Sequence, residues 1–395
     1  MKLLIISNMA HYVRNGRVVG WGPTVQEISH LSQLFEEVRH IACMYQEEAP
    51  QSALPYSSTT IRLIGVPPAG GDRLQNKFEI LRWTPLYVRT ILRELRSADV
   101  VHVRCPANIS LLAILLLAII KNPRIRWIKY AGNWNPDDRE AWSYRFQRWW
   151  LRKRFHRALV TINGRWPNQP NHTRSFLNPC LTEDEIRDAE TLAVGKELTA
   201  PIRLLFVGRI EQAKGVGRAL RVVSRLQQEN VPIKLELVGD GSDRLHFEKM
   251  AAALGCEHLV TFHGWVARPA LAPIYSRSHI LLFPTSSSEG WPKVLSEAMA
   301  YGVVPVAGSV SCISQFLEAF DTGRHFDPDD IQNFTEAIAW YALHVEEWKR
   351  QSNNGMKVAS AFSYSNYLRA VKSLLSDQHQ KQMPTPISGS RFARD

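Results

Sequence analysis

Strand-length apolar runs alternate with helix-length amphipathic stretches along this 395-residue chain. In the first half, apolar runs bounded by turn formers predict strands at 3–7, 37–43, 60–63, 100–103, 126–130 and 158–162. Helices are predicted at 24–35, 77–96, 109–120 and 142–155. The second half predicts strands at 203–207, 234–238, 260–263, 280–283 and 304–307, with helices between them. Repeated strand–helix alternation argues an α/β protein with two doubly wound, Rossmann-like parallel sheets. Ligands in such sheets bind at the carboxyl ends of strands, and the crevice between two sheets is the natural site.

The most informative stretch is Ser286-Ser287-Ser288-Glu289-Gly290-Trp291-Pro292-Lys293-Val294-Leu295-Ser296-Glu297-Ala298. It follows the strand predicted at 280–283, which Pro284 ends. Pro292 suits the first position of a helix, and Val294, Leu295 and Ala298 give that helix an apolar face. Glu289 is then in a loop at a strand's carboxyl end, and Glu297 about one and a half turns into the helix. Loop amides and a helix N-terminus make a place for an anion. Two carboxylates beside it suit a sugar nucleotide, with hydroxyls at both ends and phosphates between.

Glu-x7-Glu followed by Ala-Met-Ala-Tyr-Gly-Val-Val-Pro-Val-Ala resembles the donor signature of the retaining glycosyltransferases of family 4, which have the GT-B fold. Three further elements match in order: Leu205-Phe206-Val207-Gly208-Arg209 with Lys214-Gly215, Leu237-Val238-Gly239-Asp240-Gly241, and Val260-Thr261-Phe262-His263-Gly264-Trp265. The resemblance covers about 178–340 and is weaker in the first half. It implies two domains facing a central cleft, an acceptor-side domain at 1–177 and a nucleotide-sugar donor domain at 178–361. A last helix, 362–376, is expected to cross back onto the first domain. The polar end, 377–395, contains Pro384 and Pro386 and is expected to be disordered.

By resemblance, Arg209 and Lys214 contact the donor diphosphate, Glu297 accepts hydrogen bonds from the ribose hydroxyls, and Glu289 holds hydroxyls of the transferred sugar. The residue chemistry agrees, since cations offset charge growing on a leaving diphosphate and ionised carboxylates only accept hydrogen bonds. The amides of Gly290 and Trp291 are candidate phosphate ligands, and Gly208, Gly239 and Gly241 line the nucleotide pocket or simply make a tight turn. A Gly-x-Gly-x-x-Gly after a strand is missing from both halves, which argues against a nicotinamide or flavin enzyme. No Asp-x-Asp is expected at a strand end, so no essential metal or cofactor is expected, with the nucleoside diphosphate sugar as substrate.

The first half is less legible. The family's glycine loop after the first strand corresponds to Gly16–Gly22, which nominates Gly20 and Gly22. Ala131 stands where the family often has His, in Tyr130-Ala131-Gly132-Asn133. Asn133 can donate to a sugar hydroxyl but cannot move a proton. His102 is a catalytic candidate, and His11 another; a lone strand His is also an ordinary core residue. Enzymes of this class are thought to need no protein nucleophile.

Charge sharpens the contrast between halves. Residues 1–180 carry 25 Lys+Arg against 12 Asp+Glu, and 181–395 carry 23 against 25. A basic first half suits anionic lipid, a phosphate-bearing acceptor or nucleic acid, and equally a solvated surface. The segment 142–157 interleaves Trp142, Tyr144, Phe146, Trp149, Trp150 and Phe155 with six basic residues. That pattern fits a membrane-interface helix, and also a core-packed helix with a basic outer face. Five scattered cysteines read as free thiols in a reducing cytosol. The start of the chain reads as a core strand rather than a signal peptide. The apolar run 109–120 is too short to span a bilayer. The expectation is therefore a cytoplasmic hexosyltransferase, peripheral at the inner face of the cell membrane if the basic half docks there. Its donor is a nucleotide sugar and its acceptor a glycan or lipid-linked sugar in cell-surface polysaccharide or glycolipid assembly. The alternatives are a catalytically degenerate member acting as a membrane-associated binding partner, and a nucleic-acid-binding protein. No nucleic-acid motif supports the latter.

Overall fold

The computed structural model describes residues 1–70, 74–136 and 140–380, leaving the side chains of 74–78 and 379–380 undescribed. The first half contains β1 (Lys2–Arg14), β2 (Arg17–Trp21), α1 (Gly22–Leu31), β3 (Glu37–Met44), β4 (Ala53–Pro55), β5 (Ile61–Val66), α2 (Leu74–Leu95), β6 (Val100–Cys105), α3 (Asn108–Ile119), β7 (Ile125–Tyr130), α4 (Trp142–Arg152), β8 (Leu159–Ile162) and β9 (Thr173–Ser175). The second contains α5 (Glu183–Ala193), β10 (Ile202–Val207), α6 (Val216–Gln228), β11 (Ile233–Val238), α7 (Arg244–Ala253), β12 (Val260–Gly264), α8 (Ala272–Arg277), β13 (Ile280–Phe283), α9 (Lys293–Ala300), β14 (Val304–Gly308), α10 (Ile313–Phe320), β15 (Arg324–Phe326), α11 (Ile331–Leu343) and α12 (Val345–Ala359). A final helix, α13 (Tyr364–Gln380), follows.

The second sheet is entirely parallel, in the order β12-β11-β10-β13-β14-β15. The first has a parallel run β5-β3-β1-β6-β7-β8-β9 with β2 and β4 added antiparallel on the far half of β1. Two doubly wound sheets are therefore present, as the alternation requires. β1 is much longer than the strand predicted at 3–7. Asn15 and Gly16 both take positive φ, 50° and 71°, the geometry of a two-residue turn whose twist matches its flanking strands. The stretch read as a glycine loop is thus mostly β2. Gly20 pairs with His11 inside this hairpin, and Gly22 opens α1 with its N–H donating to Ser52 O at 3.2 Å.

β15 was also unforeseen, and it corrects a second expectation. Asp327-Pro328-Asp329 follows it, so an Asp-x-Asp does stand at a strand end. Asp329 is committed to Arg218 Nε at 2.7 Å, and its N–H donates to Asp327 Oδ1.

One apolar core fills the second domain; two others line the opposite faces of the first sheet. α13 supplies Tyr367, Val371, Leu374 and Leu375 to the first domain's core, so the chain crosses back. The two crossing segments are pinned together by Cys180 N–H to Phe362 O and Tyr364 N–H to Leu181 O, both 2.9 Å. α13 runs through Asp377, where disorder was expected. Buried Leu374 and Leu375 anchor it, and Gln378 Oε1 accepts from Arg126 N–H. The rest of the expected tail, 381–395, lies outside the described residues.

The aromatic stripe of α4 points outward. Its buried residues are Gln147, Arg148 and Leu151. Gln147 accepts from the Ala107 N–H, and Arg148 donates to Tyr130 OH and pairs with Glu140. Trp142 is 74% exposed, and Trp149 and Phe155 are about half exposed. Trp150, by contrast, packs on the first domain's core and donates its indole N–H to Ile114 O at 3.3 Å, with Leu151 buried beside it, so the helix is docked on the core and its outer face is both aromatic and basic.

Candidate active site

Two loops at the carboxyl ends of β10 and β13 make the centre of the site. Gly215 (φ +92°) lets them touch, since a Cβ there would lie 2.1 Å from Pro284 O. Ser286 N–H then donates to Ala213 O at 3.0 Å. This contact carries Lys214, buried along its stem, to the carboxylate of Glu289, with which it forms an ion pair. Glu289 is otherwise open, its side chain 41% exposed. Arg209 projects from the same β10 loop but pairs with Glu211 at 2.8 Å and does not join Lys214 and Glu289.

Gly208, Gly239 and Gly241 gather at neighbouring strand ends. Gly239 (φ +136°) has its N–H on Gly264 O, and a Cβ there would fall 1.8 Å from Gly208 O. These glycines have a structural reason to be small, the close approach of three loops.

The loop Glu289–Trp291 is clasped between the domains. Gly132 and Glu289 form an antiparallel bridge, and Gly290 N–H donates to Ala131 O at 3.1 Å. The Gly290 amide, nominated for phosphate, is therefore occupied. Ala131, in the position where a histidine was looked for, contributes its carbonyl instead. Trp291 is buried against Phe362, with its indole N–H on Ser296 Oγ at 2.7 Å.

Glu297 faces away from that loop toward α8. Arg268 Nη1 donates to its Oε1 at 2.7 Å and Tyr275 OH to its Oε2 at 3.2 Å. Burial, reinforced by Glu297, holds the Tyr275 phenol well above its ordinary pKa, so it stays a donor. Arg268 also reaches Glu185 and the Cys180 carbonyl. Each carboxylate oxygen of Glu297 keeps a lone pair beyond these contacts.

Sequence reasoning missed Arg268 and Tyr275, and also Lys293 at the start of α9. Lys293 Nζ donates to Pro23 O at 3.0 Å and lies 3.8 Å from Glu27 of α1. Glu27 is fully buried and also bound by Arg104 and Lys129, each at 2.7 Å. Burial would raise its pKa, yet Arg104, Lys129 and Lys293 hold it well below the carboxylate range. Burial in turn pulls Lys129 down to about 8 against the pull of Glu27. The signal available was a Glu between Val25 and Ile28 on an apolar helix face.

His102 is not in the cleft. It is fully buried on the α1/α13 face of β6, stacked on Trp127 at 3.8 Å, and neither ring nitrogen has a hydrogen-bond partner. Burial, then the cations Arg104 and Lys129, keeps it neutral, its pKa well below 6.5. It touches nothing a substrate could reach, and so cannot serve as the catalytic residue it was nominated to be. His11 is likewise buried, between Met9 O and Tyr56 OH, with burial lowering it to about 4. Asn133 is turned inward, accepting from Asn135 N–H at 3.0 Å.

Residues 189–358 match the profile of the glycosyl transferases group 1. This domain belongs to that family. Lipopolysaccharide 1,6-galactosyltransferase of Escherichia coli K12 is 30% identical over 186 residues, 44% of this chain and 48% of that protein. The curated relatives are thus matched over about half their length. Across nearly the whole chain, sucrose-phosphate synthase of Thermosynechococcus elongatus superposes with a TM-score of 0.73 at 17% identity, covering 96% of this chain and 100% of that one. HepE of Anabaena, in complex with UDP-glucose, superposes at 0.65 with 16% identity, covering 95% and 100%. The shared architecture is the GT-B fold that the sequence implied. Among the described residues no helix is long and apolar enough to cross a membrane, and no cluster of metal-ligating side chains occurs.

Proposed function

We propose that this group 1 domain makes the chain a retaining glycosyltransferase. It would move a sugar from a nucleoside diphosphate sugar to a glycan or lipid-linked acceptor in cell-surface polysaccharide or glycolipid assembly. The observation that carries the reading is the Lys214–Glu289 pair at the carboxyl ends of β10 and β13, with α9 starting four residues on. Lys214 has two N–H groups beyond the one on Glu289, enough to hold a phosphate oxygen. Arg209 can swing from Glu211 to the same diphosphate. Both cations and the α9 N-terminus then stabilise charge that grows as the diphosphate leaves. Glu289 holds sugar hydroxyls, and Glu297, oriented by Arg268 and Tyr275, accepts from the ribose. On this reading the leaving phosphate takes the acceptor's proton on the face it departs from, which keeps the anomeric configuration.

A thermal-shift screen against UDP-, GDP-, ADP- and TDP-sugars tests this. A ligand at 100 times its Kd adds roughly 2.7 kcal/mol, a shift of several degrees. A shift with one nucleotide, abolished in Glu297→Ala, supports the donor site and names the base. No shift with any of the four favours a degenerate, binding-only member.

The outward aromatic stripe of α4 supports a docking role at an anionic membrane, where a lipid-linked acceptor would be presented. Trp142, Trp149 and Phe155 are exposed beside Arg145, Arg152, Lys153 and Arg154. Binding to phosphatidylglycerol vesicles should weaken in high salt and in Trp149→Ser. Vesicle binding equal in both proteins removes the stripe from the account.

A further inference from the structure

A cavity of about 180 Å³ opens at the amino-terminal edge of β8, on the side of the first sheet opposite the strand ends that form the cleft. Arg154, Arg157 and Arg174 line it, with Asp377 and Gln378 of α13. Its lining therefore carries two positive charges in excess. Arg154 and Arg157 have no ion-pair or side-chain hydrogen-bond partner among the described residues. Arg174 donates only to the carbonyls of Asn171 and Thr173. Asp377 is the one carboxylate in this lining and forms no ion pair with the three arginines, so the excess positive charge is a cost that a bound anion would reverse.

Two further features point the same way. Gln378 is only 8% exposed, and its amide cannot be flipped, because Oε1 accepts the Arg126 N–H at 3.0 Å. Its Nε2 is thereby left as a buried donor with no partner in the protein. A donor stranded in this way costs free energy until an acceptor reaches it. Arg157, meanwhile, holds a left-handed backbone, φ +55°, at the end of the turn Arg154–His156. Non-glycine residues rarely adopt that conformation without a constraint. Behind the wall, the guanidinium of buried Arg126 caps the last carbonyls of α3 at Leu117 and Ile120 and adds to the positive field.

We propose that this cavity is a phosphate-binding site, separate from the donor pocket and independent of the glycosyltransferase reading. Guanidinium forks match the oxygens of a phosphate mono- or diester. Phe155, about half exposed, stands between Arg154 and Arg157 in sequence. The site is therefore accessible both to a free phosphate and to the headgroup of a phospholipid.

Calorimetric titration with inorganic phosphate at low ionic strength tests it. Four proteins are compared: wild type, Arg157→Gly, Arg152→Ala and Lys214→Ala. Glycine accepts the φ of Arg157, so Arg157→Gly removes the guanidinium without straining the turn. Arg152→Ala removes the same charge outside the cavity, and Lys214→Ala empties the other anion site of the molecule. The expected result is saturable binding in wild type, retained in Arg152→Ala and Lys214→Ala and weakened about tenfold or more in Arg157→Gly. Unchanged melting temperatures in phosphate-free buffer confirm that all variants are folded. A second arm adds short-chain phosphatidylglycerol below its micelle concentration. Competition with phosphate assigns the site to a lipid headgroup, and its absence assigns it to free phosphate. The proposal is overturned if wild type binds no phosphate, if Arg152→Ala and Arg157→Gly lose it equally, or if only Lys214→Ala does.

Discussion

The two domains share a sheet architecture but keep their ionisable groups in opposite places. In the second domain, Arg209, Lys214 and Glu289 ride on loops at strand ends, where a ligand can meet them. In the first domain, the candidates His11 and His102, and His40 beside them, are inside the sheet, fully buried. Charge on a loop can be spent on a substrate, whereas a neutral ring inside a core is committed to packing. Two unpaired cations of the first domain, Arg154 and Arg157, lie at the cavity beside β8, away from the cleft.

The comparison is most exposed at the seam, where Glu27 of one domain meets Lys293 of the other. Glu27→Ala leaves Arg104, Lys129 and Lys293 buried without their carboxylate, and Tyr367 OH without its acceptor. Removing one partner of a buried charge cluster costs about 3–5 kcal/mol. Urea denaturation should report a loss of that size, with the second domain losing its hold on the first. An effect below 1 kcal/mol would mean that the cluster is solvated in solution.

Next in size is the donor loop. On the proposed function, Lys214→Ala removes a cation from the growing charge of the leaving group, and a preorganised donor of that kind is worth roughly 10²–10³ in kcat. Melting temperature should change little by comparison. A kcat within threefold of wild type would separate Lys214 from the chemistry.

Acid distinguishes the domains in a third way. His11 and His156 of the first domain, and His279 of the second, are each brought down to about 4 by burial. His40 and His102, also of the first, lie well below 6.5 for the same leading reason. In the unfolded chain these rings protonate near 6.5, whereas the folded rings resist until much lower pH. Between the two, the unfolded state binds more protons, so stability falls as pH drops, by about 1.4 kcal/mol per pH unit per ring. Hydrogen exchange from pH 7 to 4.5 should show the first domain opening before the second. Simultaneous opening would break the contrast.

Legibility in the sequence followed the same division. Both sheets could be read because parallel strands buried on two faces appear as continuous apolar runs, such as Ile280–Phe283. The meeting of the β10 and β13 loops was within reach because its residues are contiguous, with Lys214 one residue before the glycine that lets the loops touch. β2 was misread because Gly16 was taken as the start of a glycine loop, although Asn15-Gly16 is a strong hairpin signal. Arg268 and Tyr275 were not legible, since they reach Glu297 from the turn Arg268–Leu271 and from α8, 29 and 22 residues away in sequence. The orientation of α4 turned on Gln147 and Arg148, whose partners Ala107 and Tyr130 lie on other elements.

The smallest effect is expected where the sequence first suggested a catalyst. His102 stacks on Trp127 and satisfies neither ring nitrogen. Phenylalanine keeps the ring and discards two buried, unpaired polar atoms, an exchange that is neutral or stabilising when no partner is left behind. His102→Phe should therefore change stability by less than about 1.5 kcal/mol, the usual bound for a volume-conserving core swap. Turnover should stay near wild type under conditions where Lys214→Ala is nearly inactive. A large loss of kcat with an unchanged melting temperature would restore His102 to the reaction. It would also require the first sheet to open toward the cleft during turnover, which would dissolve the contrast between a domain that acts through its loops and one that keeps its ionisable rings sealed inside.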